Sequence, residues 1–494
     1  MAGTALEPIV AAGTHRVTWT LSAPPDPQVW EVPGEAELLP LRQPHGLVYG
    51  RAPVSWDSQG PGLRRVALPC HFDYPVVYGE MNANLDIVLL DAHITVYGEK
   101  SRTGVMSFKG ANAYLDAWAA LVGHGAPRHG PLLVDSAVIQ VPHLEALAGK
   151  SPLAATRLPG DNLYEADKPE FAAEFDKTSL QEWEDDGARI SVHYDLSLEM
   201  FGWYSFGVAA SPVVAIDLTT PIPLREFMIQ WALPLRGIVS AATGLREDLT
   251  YMTCSPVIEG DDRPANRRRF QVFNASITQQ PYTSTNALDD KDISAIKLSE
   301  GESLLKLLRN WQDLRADENP ILNTYDITAV GPSQHPRARY LLLLQALEGL
   351  YGHEGRSQER QDRYARDREA FMARCEGLVD PTDFKFLKRH LPKRPPQGLD
   401  SVLREMLATL PVNLQPDLDN CGLVTGMREK NDEIRTTFDA MRIARNDLSH
   451  GNKTYEQSAL REVADILERV VRGHLLRLLS ASNDAITRVL SPEN

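Results

Sequence analysis

Cysteine is scarce in this chain. Four occur in 494 residues, at Cys70, Cys254, Cys375 and Cys421, and none forms a CxxC pair. Structural zinc sites and disulfide frameworks draw on clustered cysteines, so neither is expected, and a reducing cytoplasm fits best. Long apolar runs are missing too. The greasiest stretch, YLLLLQALEGLY from Tyr340, carries Glu348 and falls short of the roughly 20 residues a membrane-spanning helix needs. The opening MAGTALEPIVAAGTH has neither a basic start nor a proper apolar segment, so no secretory signal is expected. There is no P-loop, no GxSxG and no dinucleotide fingerprint, and no organic cofactor is implied. Nor do carboxylates cluster in the way a two-metal nuclease requires.

Basic charge is in deficit, and unevenly so. The net charge is −15, from 51 Lys+Arg and 66 Asp+Glu. From Gly331 onward 25 basic residues meet 24 acidic ones, a net of +1, which leaves −16 for everything before. The first two-thirds is therefore a poor general surface for nucleic acid, whereas the last third can carry local basic patches.

The residues that are present divide along the same line. Up to about residue 290, short runs with a period of two dominate: HRVTWTL, HGLVYGR, LDIVLLDAHITVYGE, PLLVDSAVIQV and WYSFGVAASPVVAIDL. In ARISVHYDLSLEM, Ile190, Val192, Tyr194, Leu196 and Leu198 alternate with polar residues, the pattern of a half-buried strand. A large antiparallel sandwich or barrel-like sheet is expected, interrupted by one helix around NAYLDAWAALVG. The polar stretch Ser276 to Asp292 reads as a connection. From about 295 to 494 the period becomes 3.6. SEGESLLKLLRNWQDL opens with Ser299 and Glu302 in capping-box spacing. RARYLLLLQALEGLYG, RYARDREAFMARCEGL, LDSVLREMLATL, MREKNDEIRTTFDAMRIARNDLSHG and YEQSALREVADILERVVRGHLLRLLSA all read as amphipathic helices of a bundle. Between two of them, KFLKRHLPKRPP gathers Lys385, Lys388, Arg389, His390, Lys393 and Arg394. That is either a solvated loop or a phosphate-contacting patch.

The stretch RNDLSHG carries the most chemistry. On an ideal helix with Ile434 at zero, Phe438, Met441 and Leu448 fall at roughly 40°, −20° and −40°, an apolar stripe with Arg445 inside it at roughly 20°. A guanidinium on such a stripe is costly unless it is paired or faces a polar cleft. His450 lies about 140° away if the helix continues. Gly451 and Asn452 form a stop signal, so the chain is expected to unwind and turn His450 back toward Arg445. The negative end of the helix dipole favours a protonated imidazole there. The bare spacing recurs at Arg469 and His474, but His474 falls on the apolar stripe of its own helix and reads as a core or interface residue. Arg65 and His71 match only loosely, in a strand-rich region. His124 and His129, in VGHGAPRHG, read as loop residues without the companions a metal site needs. Arg267 to Arg269, in NRRRF, read as solvated or paired with the acidic bulk of their own region.

RNDLSHG resembles the R-N-x3-H signature of HEPN domains, helical-bundle proteins of prokaryotic defence and toxin systems. The order of parts, β-rich region then bundle, resembles the ApeA-like subgroup, as does RYLLLLQALEGLYG with its ALE segment. The likeness is good over about residues 299 to 480 and organisational before that. It implies a β-rich sensor or regulatory region over 1–290 and a HEPN effector bundle over 295–494. It implies a metal-independent endoribonuclease in which Arg445 and His450 match the two catalytic positions and Asn446 the polar residue after the arginine. Glu348 matches an acidic position that orients the arginine, against a plain interhelical salt bridge. Lys385, Lys388, Arg389, Lys393 and Arg394 become candidate RNA contacts. No metal is implied.

The residue types suit that chemistry. The neighbouring 2′-hydroxyl attacks phosphorus, a histidine takes its proton, and an arginine fork matches the charge gathering on the phosphoryl oxygens. The products expected are a 2′,3′-cyclic phosphate and a 5′-hydroxyl. One arginine and one histidine make a sparse site, and an isologous homodimer through the bundle would pool two of each. The resemblance further implies abortive infection, with host RNA (tRNA being one candidate) cut when a phage protein is sensed. An acidic N-terminal region could restrain the nuclease by excluding RNA. The rival expectation is a non-catalytic HEPN-like binding module, with the β-rich region as a protein- or carbohydrate-binding domain.

Overall fold

The computed structural model describes residues 6–22, 29–49, 57–58, 64–65, 70–81, 84–96, 99–100, 106–107, 113–126, 132–157, 172–202, 205–257, 269–282, 293–325, 331–392 and 398–491. The chain divides into two compact units. The first comprises residues 1–239 and 247–305, the second 240–246 and 306–494.

The first unit is a barrel that opens into a sheet. Strand Gly13–Ser22 pairs with Val29–Leu38 on one side and Cys70–Met81 on the other. Cys70–Met81 pairs with Leu85–Val96, and Leu85–Val96 with Ala113–Gly123. The first residues of Ala113–Gly123 then meet His45–Val48, which returns to Val29–Leu38 and closes a six-stranded antiparallel ring. Closure removes the free edges that an open sheet would expose.

Alternation decides what fills the ring. Val17, Trp19 and Leu21 point in, as do Val32, Ala36, Leu38, Ile87, Ile94, Leu115 and Val122, all essentially inaccessible to solvent. Trp19 is fully buried and its indole N–H donates to the Leu47 carbonyl at 3.2 Å. The ring closes tightly around it. A Cβ on Gly34 would stand 2.0 Å from the Leu47 oxygen and 2.6 Å from the Trp19 ring.

Along the second half of Ala113–Gly123 one edge stays paired with Leu85–Val96, while the other passes from His45–Val48 to Phe270–Asn274. From there the sheet continues through Tyr251–Pro256, Leu133–Gln140, Ser205–Pro223, Ala188–Gly202 and Gln181–Glu184. This corrects the expected helix at NAYLDAWAALVG, which is strand. Its alanines and leucines are good helix formers, but strands press on both of its edges and Ala119 to Gly123 are buried throughout. Tertiary pairing overrides the local preference. The strand ARISVHYDLSLEM alternates as expected only at its start. Ile190 and Val192 are buried, while Leu196 is 44% exposed. The neighbouring strand Leu133–Gln140 reaches residues 214–223 of the partner and no further, so the far end of this hairpin runs past the sheet that would cover it.

The polar stretch from Ser276 is fastened to the first unit over its described part. Gln279 bonds within the unit, and the Tyr282 hydroxyl donates to the Val141 carbonyl at 2.9 Å and to Glu145 at 2.7 Å. The expected capping box is not formed either. Leu298–Glu300 is a 3-10 turn and the helix starts only at Leu304.

The second unit is a helical bundle: Leu304–Ala316, Pro336–His353, Leu399–Ala408, Gly422–Lys430, Thr437–His450, Gln457–Leu478 and Asn483–Leu490 are its main helices. Pro336–His353 packs on Gln457–Leu478, Leu399–Ala408 and Thr437–His450. Gln457–Leu478 continues through Gly473, whose Cβ would stand 3.0 Å from Leu490, so the glycine admits the closing helix Asn483–Leu490. His474 is fully buried on that helix, as its position on the apolar stripe implied. One buried polar cluster in the bundle is well partnered. The buried Tyr325 hydroxyl donates to Glu468 at 2.8 Å, and Arg472 approaches the same carboxylate at 3.6 Å while donating to the Ala241 and Ala242 carbonyls. Burial, and then the Glu468 charge, push the Tyr325 phenol well above its ordinary pKa.

Candidate active site at the end of the Arg445 helix

The sequence block MREKNDEIRTTFDAMRIARNDLSHG forms two helices, Gly422–Lys430 and Thr437–His450, separated by a short turn. The reason is a cap. The Thr436 side chain accepts from the Asp439 amide at 3.1 Å and donates to the Asp439 carboxylate at 2.7 Å, which starts a new helix there. Ile434 therefore precedes the helix, and the stripe is set by Thr437, Phe438, Ala440, Met441, Ala444 and Leu448. Arg445 falls between Met441 and Phe438 on that face, yet its side chain reaches the surface and is 38% exposed.

Two helices hold the arginine. Tyr340, fully buried on Pro336–His353, donates to the Met441 carbonyl at 2.8 Å, and Arg337 from the same helix donates to the Leu448 carbonyl. These two bonds fix the helices side by side. One turn further along, Glu348 accepts from Arg445 at 3.2 Å, and Asn446 accepts from the other terminal nitrogen at 3.4 Å. Glu348 is 32% exposed, so the pair is half in water and weak as a source of stability. Its effect is to orient a fork of N–H groups at the surface.

The end of the helix departs from expectation. The stop at Gly451 is present, with φ +70°, the left-handed conformation glycine adopts at little cost. The Asn452 amide donates to the Asp447 carbonyl at 2.9 Å and the Gly451 amide to Leu448 at 3.4 Å, the paired bonds of a Schellman cap. That cap keeps the chain helical through His450. The histidine is exposed and does not turn back, and no hydrogen bond or ion pair joins it to Arg445. On an ideal helix the two Cα atoms stand about 140° and about 9 Å apart.

Two further residues border this end of the helix. Tyr455 donates to Asp447 at 2.6 Å, and the Lys453 amine lies 3.6 Å from the same carboxylate. Burial, then the bond to Asp447, push the Tyr455 phenol up, and burial does the same at Tyr340. Both phenols stay protonated at neutral pH and serve as donors, not bases. Sequence reasoning passed over Asp447, Tyr455, Arg337 and Tyr340. The signal for the first two was proximity, since Asp447 lies inside RNDLSHG and Tyr455 just past it. Arg337 and Tyr340 had no comparable sequence signal, because their partners are backbone carbonyls.

Of the candidate RNA contacts, Lys385, Lys388 and Arg389 are exposed, but on a helix, Pro381–His390, rather than a loop. The Asp380 side chain caps it by accepting from the Thr382 amide at 2.8 Å. Lys393 and Arg394 lie outside the described residues. His124 hydrogen-bonds the Asn84 carbonyl at 3.0 Å, whereas His129, Arg267 and Arg268 lie outside the described residues. Among the described residues no three His, Cys, Asp or Glu side chains converge as a metal would need, and no helix is long and apolar enough to cross a membrane. Cys254 and Cys421 are buried, and burial pushes both thiols up.

The barrel has a concavity of its own. A cleft of about 1140 Å³ on its outer face is lined by Arg16, Glu31, Glu35, Tyr49, Tyr78 and Glu80, among others. A bond to Glu35 raises the Tyr49 phenol, and burial raises Tyr78. Carboxylates outnumber cations there, so the cleft suits a cationic or sugar-like ligand better than a phosphate. Compared with family models, with curated proteins and with solved structures, the chain matches none of them.

Proposed function

We propose that the C-terminal bundle is a HEPN-type endoribonuclease that cuts RNA without a metal, and that the β-rich region senses a trigger and controls it. The observation that carries this reading is the placement of Arg445. Two neighbouring acceptors aim a half-exposed guanidinium, and an exposed histidine follows it on the next turn and a half of the same helix.

The chemistry assigns each group a task. His450 takes the proton from the 2′-hydroxyl as its oxygen bonds to phosphorus. The bond from phosphorus to the 5′-oxygen breaks, and that oxygen must gain a proton. Arg445 offers its N–H groups to the phosphoryl oxygens as negative charge collects there. A phosphate entering the site competes with Glu348 for the guanidinium, so Glu348 positions the arginine in the free protein and yields it on binding. Asn446 holds the other side of the fork. Because Arg445 and His450 stand apart on one helix, a two-fold pairing of bundles is part of the proposal: a second copy supplies the histidine that protonates the leaving oxygen.

The physiological setting follows from the resemblance. A phage protein would engage the N-terminal region, and the released nuclease would cut host RNA, tRNA being a candidate, in the cytoplasm of an infected cell. Incubating the purified chain with total RNA in EDTA tests the chemistry. Fragments ending in a 2′,3′-cyclic phosphate and starting with a 5′-hydroxyl are expected, and RNA left intact by both the full chain and the 295–494 fragment would overturn the reading.

A second reading is favoured by the barrel cleft. There the bundle is a non-catalytic module and the working surface is the cleft lined by Tyr49, Tyr78 and its carboxylates, which binds a protein or carbohydrate ligand. Intact RNA in the same assay, with a ligand captured by the wild-type chain and lost on Tyr78→Ala, would select it.

A further inference from the structure

The helix Pro381–His390 carries an aromatic residue where a solvated helix has no use for one. Its inner face is formed by Phe384 and Leu387, both half-buried. With Phe386 at zero, these lie at roughly 160° and 100° on an ideal helix, so Phe386 stands on the opposite, outer face. It is 61% exposed. The His390 ring, one turn on, packs against it with centroids 4.2 Å apart and planes inclined by 32°. Lys385 and Arg389 fall on the same outer side, and both are exposed. The single carboxylate sharing that side is Asp383, and Lys388 lies behind.

A single exposed phenylalanine is ordinary, but the groups beside it say what it suits. Two cations beside a flat apolar ring disfavour a cationic or purely apolar occupant. They suit a polyanion that also carries flat rings. Unpaired nucleotides have both features: each base offers a face that stacks on an aromatic ring, and each phosphate offers a charge. A duplex offers only the second, because its bases already stack on one another.

We infer that Phe386 and His390 form a base-stacking platform, flanked by Lys385 and Arg389, that takes unpaired RNA such as a loop or a single-stranded end. This deepens the ribonuclease reading by naming the substrate class, and it rests on that reading only in that both concern RNA.

The test measures binding, separately from cutting. A short single strand of 2′-O-methyl RNA lacks the nucleophile, so the full-length wild-type chain can hold it without cleaving it. Fluorescence anisotropy should show that Phe386→Ala weakens binding of this strand by about 5- to 150-fold, as loss of one stacked base does. Phe386→Trp should bind as well as wild type. Lys385→Ala should weaken binding and lower the slope of log Kd against log salt by about one. The same sequence as a duplex should bind more weakly and ignore Phe386→Ala. Since Phe386 is mostly exposed, an unchanged Tm verifies the fold of each variant. Phe386→Ala binding within twofold of wild type, a duplex binding as tightly as the single strand, or no binding by wild type would each overturn the platform. Cleavage of ordinary RNA, measured in parallel, keeps the two readings apart. If cutting persists while Phe386→Ala binds normally, the platform alone fails. If the strand binds through Phe386 and ordinary RNA stays intact, the nuclease alone fails.

Discussion

At the scale of single residues, the bundle separates groups that hold structure from groups that are half-exposed and, in the proposed nuclease, take part in the chemistry. Tyr325, Glu468 and Arg472 are of the first kind. Tyr325→Phe removes the donor to a buried carboxylate and is expected to cost about 1–3 kcal/mol, measured by chemical denaturation. A change under about 0.5 kcal/mol would mean that water replaces the bond. Arg445 and Glu348 are of the second kind. Their pair is half-exposed, so Glu348→Gln should leave Tm almost unchanged. It should lower RNA cleavage by about two- to fivefold through a looser guanidinium, and it should do so mainly in kcat/KM. A loss as large as that of Arg445→Ala would instead give Glu348 a direct part in the reaction. RNDLSHG was legible as a candidate site because residue type and spacing are local. That His450 stays helical was not legible, since the Schellman bonds that hold it are made by backbone groups.

At the scale of elements, periodicity read the burial pattern well and the boundaries poorly. The amphipathic helices from Pro336 to Leu478 are where the 3.6 repeat places them. One expected helix is two, because the Thr436–Asp439 cap starts a new one, and caps depend on backbone angles that composition does not record. NAYLDAWAALVG reads as a helix and folds as a strand because its partners, Leu85–Val96 and Phe270–Asn274, come from distant parts of the chain. Closure of the six-stranded ring likewise depends on His45–Val48 meeting residues 113–116, a pairing between segments far apart in sequence. The ring has little slack at Gly34. Gly34→Val drives a side chain into the Leu47 carbonyl and the Trp19 ring, and is expected to destabilise the first unit by about 3 kcal/mol or more. Differential scanning calorimetry checks this, and an unshifted transition would mean that the strands part more easily than their packing implies. At the other end of the chain, Gly451→Ala forces a left-handed alanine and should cost about 1 kcal/mol.

At the scale of the whole molecule, charge and connectivity set the expectations. The split of −16 and +1 follows composition and was readable at once. The membership of residues 240–246 in the second unit was not, because it goes with long-range contacts, among them Arg472 reaching the Ala241 and Ala242 carbonyls across more than two hundred residues of sequence. A fragment spanning 295–494 lacks those carbonyls and leaves Arg472 without them, so it should be less stable than the same bundle in the full chain. If the acidic N-terminal region restrains the nuclease, that fragment should nevertheless cut RNA faster per folded molecule than the full chain. Equal or lower rates would rule out restraint. Sedimentation of the full chain at micromolar concentration is expected to give a dimer. A monomer that still cuts RNA would show that one bundle suffices.

The most direct test is cleavage of a single defined RNA in EDTA by wild type, Arg445→Ala and His450→Ala. Wild type should cut it, and each substitution should lower the rate by about a hundredfold or more while leaving Tm within a degree or two, since the loss of a preorganised donor to a developing charge (Arg445) or of a proton acceptor (His450) costs that much. Cleavage by either variant at the wild-type rate would contradict the assignment.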